Sequence, residues 1–354
     1  MKVALTITGL ARKSGGPSRA VVQLAESLTR RGQRVTLVTK ATSDIVEIPD
    51  AVDVLFYRYT PDECRECFRS SDVIHDNGLW ELGNFRAARL AMKYRKSLVI
   101  SPHGMLEPWA LSYHRYRKRV AWLLYQKSLL QYASGILVTA ESERSGVEKI
   151  LPGKRSALAP NGIELGDYPF DPSAQRKKQV LFLSRLHPIK GVEMLIKSWA
   201  ELSPPGWKLL IVGEGEASYV RSLKEQARGL PSVRFCGPVY GPQKAQLYAE
   251  SRFFVLPTFS ENFGIVVLEA LASGCPVITT TGAPWEVLAS RECGWWIDPT
   301  QSALTAALRA AIGSQNYARL SINARQLAEV GYSWDGIAAT VEGFYQEVLQ
   351  RRGP

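Results

Sequence analysis

The chain has few of the residues from which disulfide frameworks and metal centres are built. Five cysteines and four histidines are scattered over 354 residues. An odd number of thiols does not suit a disulfide scaffold. The one close pair, Cys64-x-x-Cys67, lacks the two further ligands a structural zinc site needs, and reads as one helical turn carrying two reduced thiols. No metal is expected. No apolar run approaches the roughly 18 residues of a membrane-spanning helix. The start, Met1-Lys-Val-Ala-Leu-Thr-Ile-Thr, is apolar but short and soon meets Gly and basic residues, so it is expected to be a first strand rather than a secretion signal. The expected location is the cytoplasm. A Gly-x-Gly-x-x-Gly dinucleotide fingerprint is missing as well.

What is present suits a globular enzyme. Hydrophobic residues make up 45% of the chain and charged residues 22%, which is not a disordered composition. The length suggests two domains. Residues 1–170 hold 25 Lys and Arg against 17 Asp and Glu, and residues 171–354 hold 19 against 16, so most of the net charge of +11 lies in the first part. A basic half points to nucleic acid, an anionic membrane surface or an acidic substrate, and no nucleic-acid reader motif accompanies it.

Short β-branched runs alternate with longer amphipathic stretches, the pattern of a parallel sheet covered by helices. Strands are expected at 3–8, 34–39, 54–57, 72–75, 98–101 and 136–139, with helices at 17–31, 84–94, 115–132 and 141–150. After the Asp167-Tyr-Pro-Phe-Asp-Pro172 segment, which suits a linker, a second series begins. Its strands are expected at 179–184, 208–212, 233–236, 253–256 and 276–279, and its helices at 192–202, 219–230, 242–250, 265–273 and 301–312. A last amphipathic helix is expected from Trp334 to Leu349. The fold class is therefore α/β, with domains at 1–170 and 171–333 and a C-terminal helix, 334–354.

In doubly wound sheets, ligands sit beyond the carboxyl ends of the strands, so those loops carry the candidate chemistry. Gly15-Gly16 follows the first strand and precedes a helix, where backbone N–H groups can approach an anion. In Ser184-Arg185-Leu-His-Pro-Ile-Lys190-Gly191, a guanidinium and an ammonium flank a Pro turn. Arg can grip two oxygens of a diphosphate while Lys supplies a compact charge. In Glu261-Asn-Phe-Gly-Ile-Val-Val-Leu-Glu269, Glu261 falls in a loop and Glu269 inside a helix. Asn262, Phe263, Gly264 and Ile265 bring helix-start amides. A loop carboxylate can accept hydrogen bonds from sugar hydroxyls, and a helix carboxylate can clamp a cis-diol. Glu269 has apolar neighbours on both sides in sequence, so a buried carboxylate there requires a specific partner. His103, in Ser-Pro-His-Gly-Met, ends another strand.

Glu261-x7-Glu269, Arg185-Leu-x3-Lys190-Gly191 and the Gly15-Gly16 loop, with Val212-Gly-Glu-Gly215, Asn161-Gly-Ile and Gly274-Cys-Pro-Val-Ile278, together resemble the retaining glycosyltransferase family 4. The resemblance runs over essentially the whole chain. It implies the GT-B architecture, two Rossmann-like doubly wound domains facing across a deep cleft. It also implies transfer of a sugar from a nucleotide-diphosphate donor to a saccharide or lipid-linked saccharide acceptor. Residue by residue, Arg185 and Lys190 would hold the diphosphate, Glu269 the ribose, and Glu261 the transferred sugar. The amides at Phe263, Gly264 and Ile265 would contact sugar and distal phosphate. Gly213, Gly215 and Val239 would line the nucleoside pocket, Gly16 would meet the diphosphate, and His103 would lie beside the sugar. Asp-x-Asp, the metal-diphosphate element of the other large glycosyltransferase fold, is absent, so no cofactor is expected. A GT-B epimerase or a non-catalytic sugar-binding protein would share the fold. The basic, aromatic stretch from His114 to Tyr125 is compatible with peripheral attachment to an anionic bilayer.

Overall fold

The computed structural model describes every residue except 12–15, 42–43, 58–61 and 352–354. Contacts divide the chain into two units: Met1–Gly162 with Trp334–Pro354, and Ile163–Ser333. The passage into the second unit comes at Ile163, ahead of the Asp167–Pro172 segment. Ile163, Leu165 and Tyr168 explain this, since all three pack into the second unit's core.

Among the described residues the first unit holds seven parallel strands in the order β3-β2-β1-β4-β5-β6-β7. They are β1 (Lys2–Ile7), β2 (Arg34–Lys40), β3 (Asp53–Tyr57), β4 (Val73–Asn77), β5 (Ser97–Ser101), β6 (Gly135–Val138) and β7 (Ser156–Leu158). Every residue of β4, β5 and β6 is buried, as expected for strands covered on both faces. The C-terminal helix Trp334–Gln350 lies against helix Gly16–Arg30 and β5. Its Tyr345 hydroxyl is 2.6 Å from Nδ1 of the buried His75, whose Nε2 is 2.7 Å from Ser101 Oγ. Arg31 adds surface ion pairs to Glu342 and Asp335 of the same helix.

The second unit holds six parallel strands in the order β10-β9-β8-β11-β12-β13. They are β8 (Lys177–Leu183), β9 (Lys208–Val212), β10 (Val233–Cys236), β11 (Ser251–Leu256), β12 (Val277–Thr280) and β13 (Gly294–Ile297). Val180 to Leu183, Phe253 to Leu256 and the helix residues Leu195, Ile196 and Trp199 form its core. Each such side chain contributes about 1.5–3 kcal/mol by leaving water. Two further helices, Val287–Ser290 and Tyr317–Gly331, lie outside the sequence-based expectation.

In both sheets the strand order reverses beside the first strand, between β1 and β4 and between β8 and β11. Those are the switch points where open α/β sheets take their ligands. They place the loops after β8 and β11 side by side, although β8 and β11 are far apart in sequence.

Candidate active site

The loop after β8 descends through a short 3-10 turn, Pro188–Lys190, into helix Val192–Leu202. Gly191 joins them with φ 69°, and a Cβ there would run into the Pro257 carbonyl of the loop after β11. Only glycine permits that approach. Two hydrogen bonds then stitch the loops together: Phe259 N donates to Ile189 O at 2.8 Å, and Thr258 Oγ1 donates to the same oxygen at 3.0 Å. The second loop is held from its far side by Glu261 N donating to Gly282 O at 2.8 Å.

This stitching brings Lys190 and Glu261 together, with Nζ 2.6 Å from Oε2. Lys190 is buried, while the Glu261 side chain keeps 20% of its surface exposed. Arg185 is exposed on the same loop and lines a cavity of about 550 Å³ with His187, Gly215 and Tyr219. Partial burial lowers the pKa of His187 first, and the positive charges of Arg185 and Lys190 lower it further.

Helix Ile265–Ala272 begins at Gly264, which caps it in the left-handed conformation. Its first amides have no acceptor within the helix. Asn262 precedes the cap, whereas the Phe263 ring is buried against Trp285 and Tyr332. Phe263 therefore gives its side chain to the core, and its carbonyl accepts from Trp285 Nε1 at 2.5 Å.

Glu269 is 2% exposed and does have the specific partner its apolar surroundings require. Lys244 Nζ straddles its carboxylate, 2.6 Å from Oε1 and 2.5 Å from Oε2. Tyr168 donates to Oε1 at 3.1 Å and Tyr248 donates to Oε2 at 3.0 Å. Burial, and then the Glu269 charge, push the Tyr248 hydroxyl well above its ordinary pKa, so it remains a donor. Four contacts fill the capacity of one carboxylate. A diol at Glu269 must therefore replace one partner, and Lys244, with 19% of its side chain exposed, is the accessible one.

Gly213 and Gly215 are pressed against the loop that carries Arg185. A Cβ on either would strike the carbonyl of Ser184 or Leu186, and Leu186 N donates to Glu214 O at 2.7 Å. Val239 is half-buried on the second core.

In the first unit, Gly16 is the first residue of helix Gly16–Arg30, and Gly15 lies outside the described residues. His103 follows β5 in the left-handed conformation, φ 50°, and is partly exposed. Its Nε2 is 2.9 Å from Asn77 Oδ1 at the end of β4. Burial pushes its pKa down to about 4, so the ring is neutral at pH 7. One residue before Asn77 in β4, desolvation raises Asp76 to about 6 against hydrogen bonds from Thr6 and Asn84. Lys244, Asn77, Glu143 and Tyr168 were not marked by sequence; each is a single polar residue without a motif.

Residues 177–314 match the family described as Glycosyl transferases group 1, and residues 14–167 match Glycosyltransferase Family 4. An uncharacterized glycosyltransferase of Methanocaldococcus jannaschii is 30% identical over 50% of this chain and 47% of its own length. A phosphatidyl-myo-inositol mannosyltransferase of Mycobacterium leprae is 27% identical over 94% of this chain and 93% of that one. The structure of a sucrose-phosphate synthase from Thermosynechococcus elongatus superposes with a TM-score of 0.80 at 21% identity, covering 99% of this chain and 100% of that one. Two parallel-sheet Rossmann-like domains of this order define the GT-B class. The chain belongs to glycosyltransferase family 4 and is a group 1 glycosyltransferase acting on sugar nucleotides.

Proposed function

We propose that the enzyme moves a hexose-type sugar from a UDP- or GDP-linked donor to a saccharide or lipid-linked saccharide, with retention of configuration and without a metal. The observation that carries this reading is the Lys190–Glu261 pair beside Arg185 at one switch point. A buried ammonium and an exposed guanidinium match the two kinds of contact a diphosphate takes. On this reading Lys190 and Arg185 neutralise the departing diphosphate. Glu261 takes hydroxyls of the transferred sugar, and amides at Gly264 and Ile265 take sugar and distal phosphate. The ribose seats at Glu269 by displacing Lys244, with Gly215 and Val239 along the nucleoside.

Retention places the acceptor hydroxyl and the leaving phosphate on one face of an oxocarbenium-like centre. Such a reaction needs stabilisation of the leaving group and alignment more than a strong protein base. Fixed cations supply that stabilisation directly. Glu261 and Glu269 serve different parts of the donor, unlike a glycosidase pair, where both carboxyls flank one bond.

The mycobacterial relative's name includes a lipid acceptor, and one surface of the first unit suits a lipid-linked one. Around helix Arg115–Ala121 and the π-helical turn Trp122–Gln126, Tyr113, Tyr116, Val120, Leu123 and Leu124 are each more than half exposed. Arg115, Arg117 and Arg119 are exposed among them. Apolar side chains ringed by cations fit an anionic bilayer surface. No helix among the described residues is long and apolar enough to cross a membrane.

A thermal-shift panel of UDP-, GDP-, ADP- and dTDP-linked sugars tests the donor site, since saturating ligand at 100 Kd adds about 2.7 kcal/mol. One nucleotide class should raise Tm, and Lys190→Ala should cancel both that rise and the transfer. Unchanged activity in Lys190→Ala would refute the assignment. Turnover without any acceptor would favour an epimerase, and loss of activity with EDTA would remove the metal-independent part.

A further inference from the structure

An imidazole can carry its proton on either nitrogen, and for His103 the surrounding backbone decides. Asn77 Nδ2 donates to the carbonyl of Thr6 at 3.2 Å. A carbonyl oxygen only accepts, so this contact orients the Asn77 amide, with Oδ1 left toward His103. Oδ1 also only accepts, and it lies 2.9 Å from His103 Nε2. The proton of the neutral ring must therefore sit on Nε2, leaving the lone pair on Nδ1.

We propose that Asn77 is a positioning residue that locks His103 in its Nε2–H tautomer, so that Nδ1 accepts a hydrogen bond from a sugar hydroxyl. The inference rests on the reading of His103 as a sugar contact. With the tautomer reversed, a ring lone pair would face the Asn77 oxygen, acceptor against acceptor, and Nδ1 would become a donor.

The backbone is arranged to the same end. His103 and Gly104 both have positive φ, 50° and 76°, a conformation that is strained for a non-glycine residue. Glu143 secures the turn: it accepts from Gly104 N at 2.5 Å, from Thr139 N at 2.7 Å and from Thr139 Oγ1 at 3.0 Å. One side chain thus fixes the main chain of the turn, and another fixes the ring. His75, Asn77, Ser101, His103 and Thr139 line one small cavity.

The test is ring nitrogen NMR on the full chain, whose four histidines are assigned by comparison with His103→Gln. The native protein should show His103 protonated at Nε2. Asn77→Leu, which has no acceptor, should give a mixture of tautomers and a kcat lower by about tenfold, the scale of one hydrogen bond. Its donor KM should change little. Asn77→Asp still accepts from Nε2–H and should keep Nε2 protonated, whereas its negative charge favours a second proton on Nδ1. A native ring protonated at Nδ1 would overturn the proposal. So would Asn77→Leu with the native tautomer and unchanged kcat. Full activity of His103→Ala would refute the sugar contact separately, because the ring spectra answer for the tautomer alone.

Discussion

The two units handle buried acidic and basic side chains in opposite ways. In the second unit they are ion pairs: Lys190 with Glu261, and Lys244 with Glu269. In the first unit they are hydrogen-bonded to neutral partners among the described residues: His75 with Tyr345 and Ser101, His103 with Asn77, and Asp76 with Thr6 and Asn84. On the proposed reading the second unit meets a diphosphate, which calls for fixed charge, and the first meets hydroxyls, which are served by neutral donors and acceptors with settled directions. The contrast is one of chemistry, because both units have the same strand order around the same switch point.

The largest effect is expected where the charge is most deeply buried. Lys244→Met leaves the Glu269 carboxylate without its cation, and removing one partner of a buried pair costs about 3–5 kcal/mol. A change of that size in a unit of this length corresponds to a fall in Tm on the order of 10 °C. The double variant Lys244→Met with Glu269→Gln should recover most of that stability, since both charges are then gone. If Glu269 seats the ribose, the double variant still fails to bind donor. Calorimetry and donor titration on the single and double variants separate the two effects. Equal Tm in the native protein and Lys244→Met would show that the pair is not what distinguishes the second unit.

Much of this site was legible from residue order, and the reasons differ by element. Lys190 and Glu261 were marked because each follows a buried β-branched or aromatic strand and precedes a helix. Their contact depends on β8 and β11 being neighbours, which pairing decides and composition does not. Lys244 carries no local signal. It is one cation on the partly polar helix Gly241–Glu250, and its role comes from the Glu269 carboxylate of another helix. β7 and β13 escaped because they are short and half-buried throughout. Helix Tyr317–Gly331 escaped because small residues, Ser321, Ala324 and Ala328, form most of its buried face and weaken the apolar period. Helix Trp334–Gln350 buries larger side chains, including Trp334, Phe344 and Tyr345, and was readable.

A smaller effect should separate the units by pH. Burial lowers His75 to about 3 and His103 to about 4 from 6.5. Both contribute stability that is present above pH 6.5 and lost as pH falls toward those values, because the unfolded chain then binds protons the folded one refuses. Each histidine gives a slope of about 1.4 kcal/mol per pH unit. Asp76, raised from 3.8 to about 6, has the opposite sign: its contribution is full below 3.8 and lost as pH rises through 6. Glu143, also raised by burial, shares that sign. Stability of the first unit should therefore fall as pH drops through 6.5, and below about pH 6 the two carboxyls hold the slope under what the histidines alone would give. Asp76→Asn should steepen the slope below pH 6. The second unit's one histidine, His187, is exposed, so amide hydrogen exchange there should respond less to the same titration. An unchanged slope in Asp76→Asn would refute the opposing role of the carboxyl.

The smallest energies belong to the surface of the first unit, where each cation near an anionic bilayer is worth about 1 kcal/mol. Leu123 and Leu124 are 78% and 76% exposed, and they point away from the core that Trp122 and Tyr125 join. A helix with its aromatic side packed inward and leucines outward has apolar surface beyond what the core uses. Neutralising Arg117 and Arg119 to Gln should weaken flotation with anionic liposomes by roughly one to two orders of magnitude. Leu123→Ser with Leu124→Ser should weaken it in neutral liposomes as well, because the apolar part does not depend on lipid charge. Both variants should transfer sugar to a water-soluble acceptor at the native rate, since neither change touches the loops after β8 and β11. Equal flotation of both variants and the native protein would confine the first unit's excess charge to a solvated face.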